Sequence, residues 1–145
     1  ERLGEVNGAP LISDYAHHPT ELRALLAAAR ERYKKRRLLL AFQPHQHRRT
    51  LAFARQFVEV LQGFDAVILA EVYDVAGREE AMERATTADW IKPLKQRGCP
   101  VTFAPTLAAV EAAIRSLARP GDVVLVVGAG DIYTVARRLA QRPPW

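Results

Sequence analysis

Apolar residues fall along this chain in two alternating rhythms. Short apolar runs at 38–42, 66–70, 101–104 and 123–127 are each bounded by charge, Gly or Pro, and such near-continuous apolarity suits strands buried on both faces. Between the runs the spacing lengthens to three and four residues. Leu22, Leu25, Leu26, Ala29 and Tyr33 share one face of a helix that starts around Pro19, and Ala54, Phe57, Val58 and Leu61 make a second stripe behind a candidate cap at Thr50. Leu107, Val110, Ile114 and Leu117 make a third behind Thr106, and Ile132, Val135, Ala136 and Leu139 a fourth behind the Gly128-Ala129-Gly130 turn. A short strand at 9–13 opens the series, with 3–6 as its hairpin partner across Asn7-Gly8. Strand handing over to helix in this way predicts an α/β fold. It is a Rossmann-like three-layer sandwich, with a mostly parallel sheet of about six strands and helices on both faces. The stretch 74–95 resists the pattern, because Pro93 must kink or end any helix begun near Thr87.

Composition narrows the class of protein. A chain of 145 residues, 49% hydrophobic and 26% charged, is one domain's worth of folded protein and not a disordered tail. Cys99 stands alone, so no internal disulfide can form, and a lone thiol points to a reducing, cytoplasmic setting. No apolar run approaches the roughly 20 residues that span a bilayer, so a membrane is not an expected partner. The net charge of +5 raises nucleic acid as a partner. Its densest cluster, from Arg30 through Lys34 and Lys35 to Arg37, lies where the first helix should end, and cations are favoured there by the exposed carbonyls. Nucleic acid is therefore not expected either.

In sheets of this kind ligands bind where strands hand over to helix N-termini at their carboxyl ends. Three such loops stand out. The first, Asp14-Tyr15-Ala16-His17-His18-Pro19-Thr20-Glu21, packs an acid, a phenol and two imidazoles into one turn. Asp14 or His18 can cap the helix with Pro19 at its first position, whereas His17 is a candidate functional group, since an imidazole beside a helix start can donate to phosphate and exchange protons. The second loop, Phe42 to Thr50, is rich in donors: Gln43, His45, Gln46, His47, Arg48 and Arg49. A guanidinium there can grip a carboxylate or phosphate with two parallel hydrogen bonds, although Arg48 and Arg49 cannot both face a site.

The third loop, Gly128-Ala129-Gly130-Asp131-Ile132, lacks the third glycine and the following acid of a dinucleotide fingerprint, so it reads as a close-packing turn or one wall of a substrate pocket. Four histidines raise the question of zinc, but sequential His17-His18 and His45-x-His47 with no cysteine nearby do not match its usual ligand spacings, and no metal site is expected. Nowhere does G-x-x-x-x-G-K-[ST] occur.

Taken in order, these three loops, together with Glu71-Val72-Tyr73, resemble the C-terminal domain of the Mur ligases from about Leu3 to Leu139. Within that family Phe42-Gln43-Pro44-His45 looks most like the branch that joins L-alanine to UDP-N-acetylmuramate. The resemblance implies a cytoplasmic ligase that uses ATP and Mg2+, both held mainly by a central domain outside this chain, to make an acyl phosphate that the amine of L-alanine attacks. It implies residues 1–145 as the C-terminal domain, without the central ATPase and N-terminal UDP-binding domains and inactive alone. By the same resemblance Asp14 and His17 contact the nucleotide, and Tyr15, His45, Gly128, Ala129 and Gly130 border the substrates. His17 and Arg49 serve the reaction itself. Gln46, His47, Arg48 and the 74–82 segment depart from the family's commoner pattern. The alternatives are the related ligase that recycles murein tripeptide, which shares the first loop, and a non-catalytic binding module of the same fold.

Overall fold

The computed structural model describes residues 1–74 and 84–141. Six strands, β1 (Arg2–Val6), β2 (Ala9–Asp14), β3 (Leu38–Phe42), β4 (Ala66–Leu69), β5 (Val101–Phe103) and β6 (Val123–Val127), form one sheet in the order β1-β2-β6-β3-β4-β5. β1 is antiparallel to β2 and every other pairing is parallel. The β1–β2 hairpin turns on Asn7 and Gly8, whose φ values of 51° and 79° are those of the tight turn that matches strand twist. β3 and β6 are wholly buried, as their uninterrupted apolar runs predicted.

Helices cover both faces, because alternate residues of each buried strand point to opposite sides. On one face α1 (Pro19–Arg32), α2 (His47–Ala52), α3 (Ala54–Leu61) and α4 (Ile91–Gln96) bring Leu22, Phe57 and Leu94 against Leu38, Leu40, Phe42 and Leu125. On the other, α5 (Leu107–Leu117) and α6 (Tyr133–Gln141) bury Val110, Ile114, Val135 and Leu139 against Leu39, Ala41, Ile68 and Val126. The α/β three-layer reading therefore holds. Among the described residues no helix is long and apolar enough to cross a membrane.

Local chemistry sets the helix starts. His18 caps α1, its Nδ1 accepting from Thr20 N–H at 3.2 Å, while Glu21 reaches back to the His18 N–H at 3.1 Å; Pro19 takes the first position, where no amide donor is needed. Thr106 caps α5 as expected, accepting from Ala109 N–H at 3.1 Å. Thr50 does not cap the second helix. It lies inside α2, its hydroxyl donating to the Gln46 carbonyl at 2.7 Å, and the helix breaks at Phe53 before α3 resumes. The Pro93 difficulty resolves differently from a kink or an end. A 3₁₀ turn at Thr87–Trp90 precedes α4, so Pro93 falls in the first turn of a new helix. The 75–83 stretch, where most of the 74–82 departure falls, lies outside the described residues.

The basic run of 30–37 is partly structural. Arg30 at the end of α1 donates to Asp65 at 2.9 Å and to the Gly63 carbonyl at 2.7 Å. Arg37, just before β3, holds the buried Asp122 carboxylate through bonds of 3.0 and 2.8 Å and donates to the Leu117 carbonyl at 2.7 Å.

Candidate functional site

Parallel strands place the loops after β2, β3, β4 and β6 at one edge of the sheet. The pairing continues past the strands: His45 and Tyr73 form a parallel bridge, Gln43 N–H donates to the Val127 carbonyl at 3.0 Å, and Gly128 N–H donates to the Asp14 carbonyl at 3.1 Å. Backbone bonds thus draw all four loops together before any side chain contributes.

Within the first loop Asp14 turns one oxygen back onto the Ala16 N–H at 2.9 Å, shaping the turn that carries Tyr15 outward to 70% exposure. His17 Nδ1 lies 3.2 Å from the Tyr15 carbonyl and 3.6 Å from Glu21 Oε1. A proton on Nδ1 serves the Tyr15 carbonyl, with the Glu21 carboxylate close by, and leaves Nε2 as the ring nitrogen without a partner among the described residues.

The rings then form a train. Tyr15 meets His17 edge-on at 5.7 Å between centroids, His17 meets His45 at 6.3 Å, and His45 stacks on Tyr73 at 5.4 Å and 22°. Tyr73 in turn roofs Gly130, where a Cβ would stand 2.4 Å from the ring. Beside this train a cleft of about 510 Å³ is lined by Ser13, Asp14, Tyr15, Gly128, Gly130 and Tyr133, with Glu1 at its margin.

Seven of the expected site residues, Asp14, Tyr15, His17, His45, Gly128, Ala129 and Gly130, therefore fall in one connected region of the molecule. Arg49 stands on α2 at the same edge, half-buried, with no side-chain partner among the described residues. Its carbonyl accepts from Phe53 N–H at 3.0 Å, and the Phe53 ring lies 4.8 Å from that of His18. Arg48 is the more exposed of the arginine pair. His47 is buried, its Nδ1 accepting from Ala85 N–H at 3.1 Å and its Nε2 lying 3.6 Å from Asp74.

Sequence reasoning named Gln43 and Glu71 only as members of motifs and gave neither a role, yet both shape the region. Gln43 is 5% exposed and bonds to both Asp131 and Ile132. Glu71 ties the β4 end to the 3₁₀ turn, accepting from the Thr86 hydroxyl at 2.8 Å and the Thr87 N–H at 3.1 Å. A carboxylate and an amide immediately after wholly apolar strands were the available signal.

A family model described as Mur ligase, glutamate ligase domain matches residues 1–130. The chain belongs to the Mur ligase family. Among Mur ligases, the UDP-N-acetylmuramate–L-alanine ligase of Mycolicibacterium smegmatis is 44% identical over 137 residues, covering 91% of this chain and 27% of that protein. The corresponding ligase of Paraburkholderia xenovorans is 42% identical over 146 residues, covering 95% and 30%. The crystal structure of the Thermotoga maritima UDP-N-acetylmuramate-alanine ligase superposes with a TM-score of 0.75 at 32% identity, covering 94% of this chain and 27% of that one. The matched part of these Mur ligases is the C-terminal domain, and the chain spans less than a third of their length.

Proposed function

We propose that this domain forms one wall of the active site in a cytoplasmic, ATP-dependent ligase that joins L-alanine to UDP-N-acetylmuramate, closing against the enzyme's own central domain. The observation that carries the reading is the convergence of the Asp14–His17, Gln43–His45 and Gly128–Gly130 segments at one sheet edge, in a chain 42–44% identical to the two alanine-adding relatives above.

The chemistry present fits part of the reaction. Asp14 keeps one oxygen without a partner among the described residues, and a carboxylate between two tyrosines suits nucleoside hydroxyls better than phosphates. The nucleoside end of ATP is thus assigned to this wall and the triphosphate to the facing domain. Among the described residues no group of three or more His, Cys, Asp or Glu gathers that could hold a metal ion. Mg2+, which neutralises phosphate charge when bound, is assigned to the central domain.

Phosphoryl transfer from ATP turns the lactyl carboxylate into an acyl phosphate and releases ADP. The amine of L-alanine then attacks the acyl carbon, the C–N bond forms, the C–O bond to phosphate breaks, and inorganic phosphate leaves. The tetrahedral centre gains negative charge in between. The Arg49 guanidinium is the donor assigned to that charge, worth about 3 kcal/mol when preorganised. His17 Nε2, an acceptor while the ring proton sits on Nδ1, is assigned to take the proton that the amine loses. Tyr15, His45 and the bare Gly128-Ala129-Gly130 backbone border the incoming amino acid.

The test is phosphate release by the full-length enzyme carrying this domain, with ATP, Mg2+ and UDP-N-acetylmuramate, and alanine, serine, glycine or murein tripeptide supplied in turn. Release that requires the amino acid and is fastest with alanine is expected. Absence of amino-acid-dependent release refutes the reading, and release only with tripeptide assigns the domain to the recycling branch.

A further inference from the structure

We infer that Gln43 is a positioning residue for this site, a buried clamp that sets the shape of the cleft wall at 128–132 from across the sheet. The kinetic part of the inference rests on the ligase reading above; the clamp itself does not.

Gln43 follows β3 directly and does not line the cleft. Its Oε1 accepts from Ile132 N–H at 3.1 Å and its Nε2 donates to Asp131 Oδ1 at 2.9 Å. These partners fix which end of the amide is oxygen, since a backbone N–H cannot be accepted by an NH2 group and a carboxylate cannot donate. The main chain of Gln43 closes on the same loop. A Cβ at Gly128 would stand 2.8 Å from the Gln43 carbonyl oxygen, and one at Gly130 would stand 2.8 Å from Gln43 Oε1. The loop is therefore pressed onto Gln43 at Gly128 and Gly130, where only bare Cα atoms fit.

An apolar side chain of the same size would fill the space and leave the buried Ile132 N–H, a donor at the approach to α6, without an acceptor. The clamp also explains how residues far apart in sequence share a site. Gly130 lies between the Gln43 amide and the Tyr73 ring, Tyr73 stacks on His45, and His45 leads to His17 and Tyr15. Fixing the loop fixes the far wall of the cleft against Asp14 and Tyr15.

The experiment is a donor–acceptor swap in the full-length enzyme. Gln43→Glu preserves shape but sets a carboxylate against that of Asp131. Gln43→Glu with Asp131→Asn reverses the pair, the introduced amide donating to the introduced carboxylate, which also accepts from Ile132 N–H. We expect Q43E to raise KM for ATP about tenfold while kcat at saturation changes less than about threefold, and the double variant to recover most of the difference. An unchanged KM in Q43E, failure of the double variant to recover, or parallel loss of kcat and Tm overturns the assignment. Should the wild-type enzyme release no phosphate with any amino acid, the ligase reading fails separately. The clamp is then read from hydrogen exchange at the Ile132 amide, expected about tenfold faster in Q43E and restored in the double variant. Equal exchange in all three proteins overturns it.

Discussion

The two edges of the sheet are both polar, yet they treat their polar groups in opposite ways. At the amino edge Arg37 spends its donors on Asp122 and the Leu117 carbonyl, Asp65 accepts from both Leu38 N–H and Arg30, and Asn7 donates to the Arg115 and Ala118 carbonyls at the end of α5. Each of these side chains closes a helix end or a strand start. At the carboxyl edge one oxygen of Asp14, Nε2 of His17 and the guanidinium of Arg49 have no partner among the described residues, and Tyr15 projects into solvent. Polar groups committed to one another stabilise a fold, whereas groups left uncommitted beside a cleft are available to a ligand.

The contrast is open to attack by substitution, and the largest effect belongs to the open edge. His17→Ala and Arg49→Ala, each in the full-length enzyme, should lower kcat about 100-fold while stability moves by less than about 1 kcal/mol. Steady-state kinetics beside thermal melts measure the split, and a melt that falls in step with turnover would place these residues with the structural set.

Arg37→Ala should do the reverse, costing about 3 kcal/mol in denaturant unfolding because it strands the nearly buried Asp122 carboxylate. Turnover per folded molecule should be retained. Gly130→Ala comes next, with a loss of about 2 kcal/mol as the new methyl collides with the Tyr73 ring and the Gln43 amide. It joins the two behaviours, since the loop it deforms is both packed and part of the cleft.

The smallest effect is a pH dependence. Burial pushes the Asp122 carboxyl up, but the hydrogen bonds from Arg37 and the Arg119 N–H, with the charges of both arginines, outweigh it and hold the group below the ordinary carboxylate range. A folded value below the unfolded one means the stabilisation is complete above that range, about pH 4, and is lost as pH falls through the folded value. Urea unfolding across the acid range should show this slope, and Asp122→Asn should remove its share.

The sheet was legible because β3 and β6 are buried on both faces, and that condition writes itself into local sequence as unbroken apolar runs. The Asn7-Gly8 turn and the His18 and Thr106 caps were legible for the same reason, being interactions of near neighbours. The break at Phe53 was not. Residues 54–61 read as one stripe behind a cap at Thr50, whereas Thr50 lies inside a separate α2, its hydroxyl bonding back to Gln46, and the Phe53 ring packs on His18 from another loop. Gln43 with Asp131 and Arg37 with Asp122 escaped notice because their partners are 88 and 85 residues away, a separation that leaves no period in the sequence. The candidate site was legible as three suspicious loops, but how they join through Tyr73 and the bare Cα of Gly130 required coordinates.

The most direct test of which edge faces the nucleotide is amide hydrogen exchange of the full-length enzyme with and without a non-hydrolysable ATP analogue, Mg2+ and UDP-N-acetylmuramate. Added protection at 14–18 and 128–132, with none at 117–122, is the predicted result. Protection confined to 117–122, or none in any of the three segments, would contradict the assignment of the open edge as the working face.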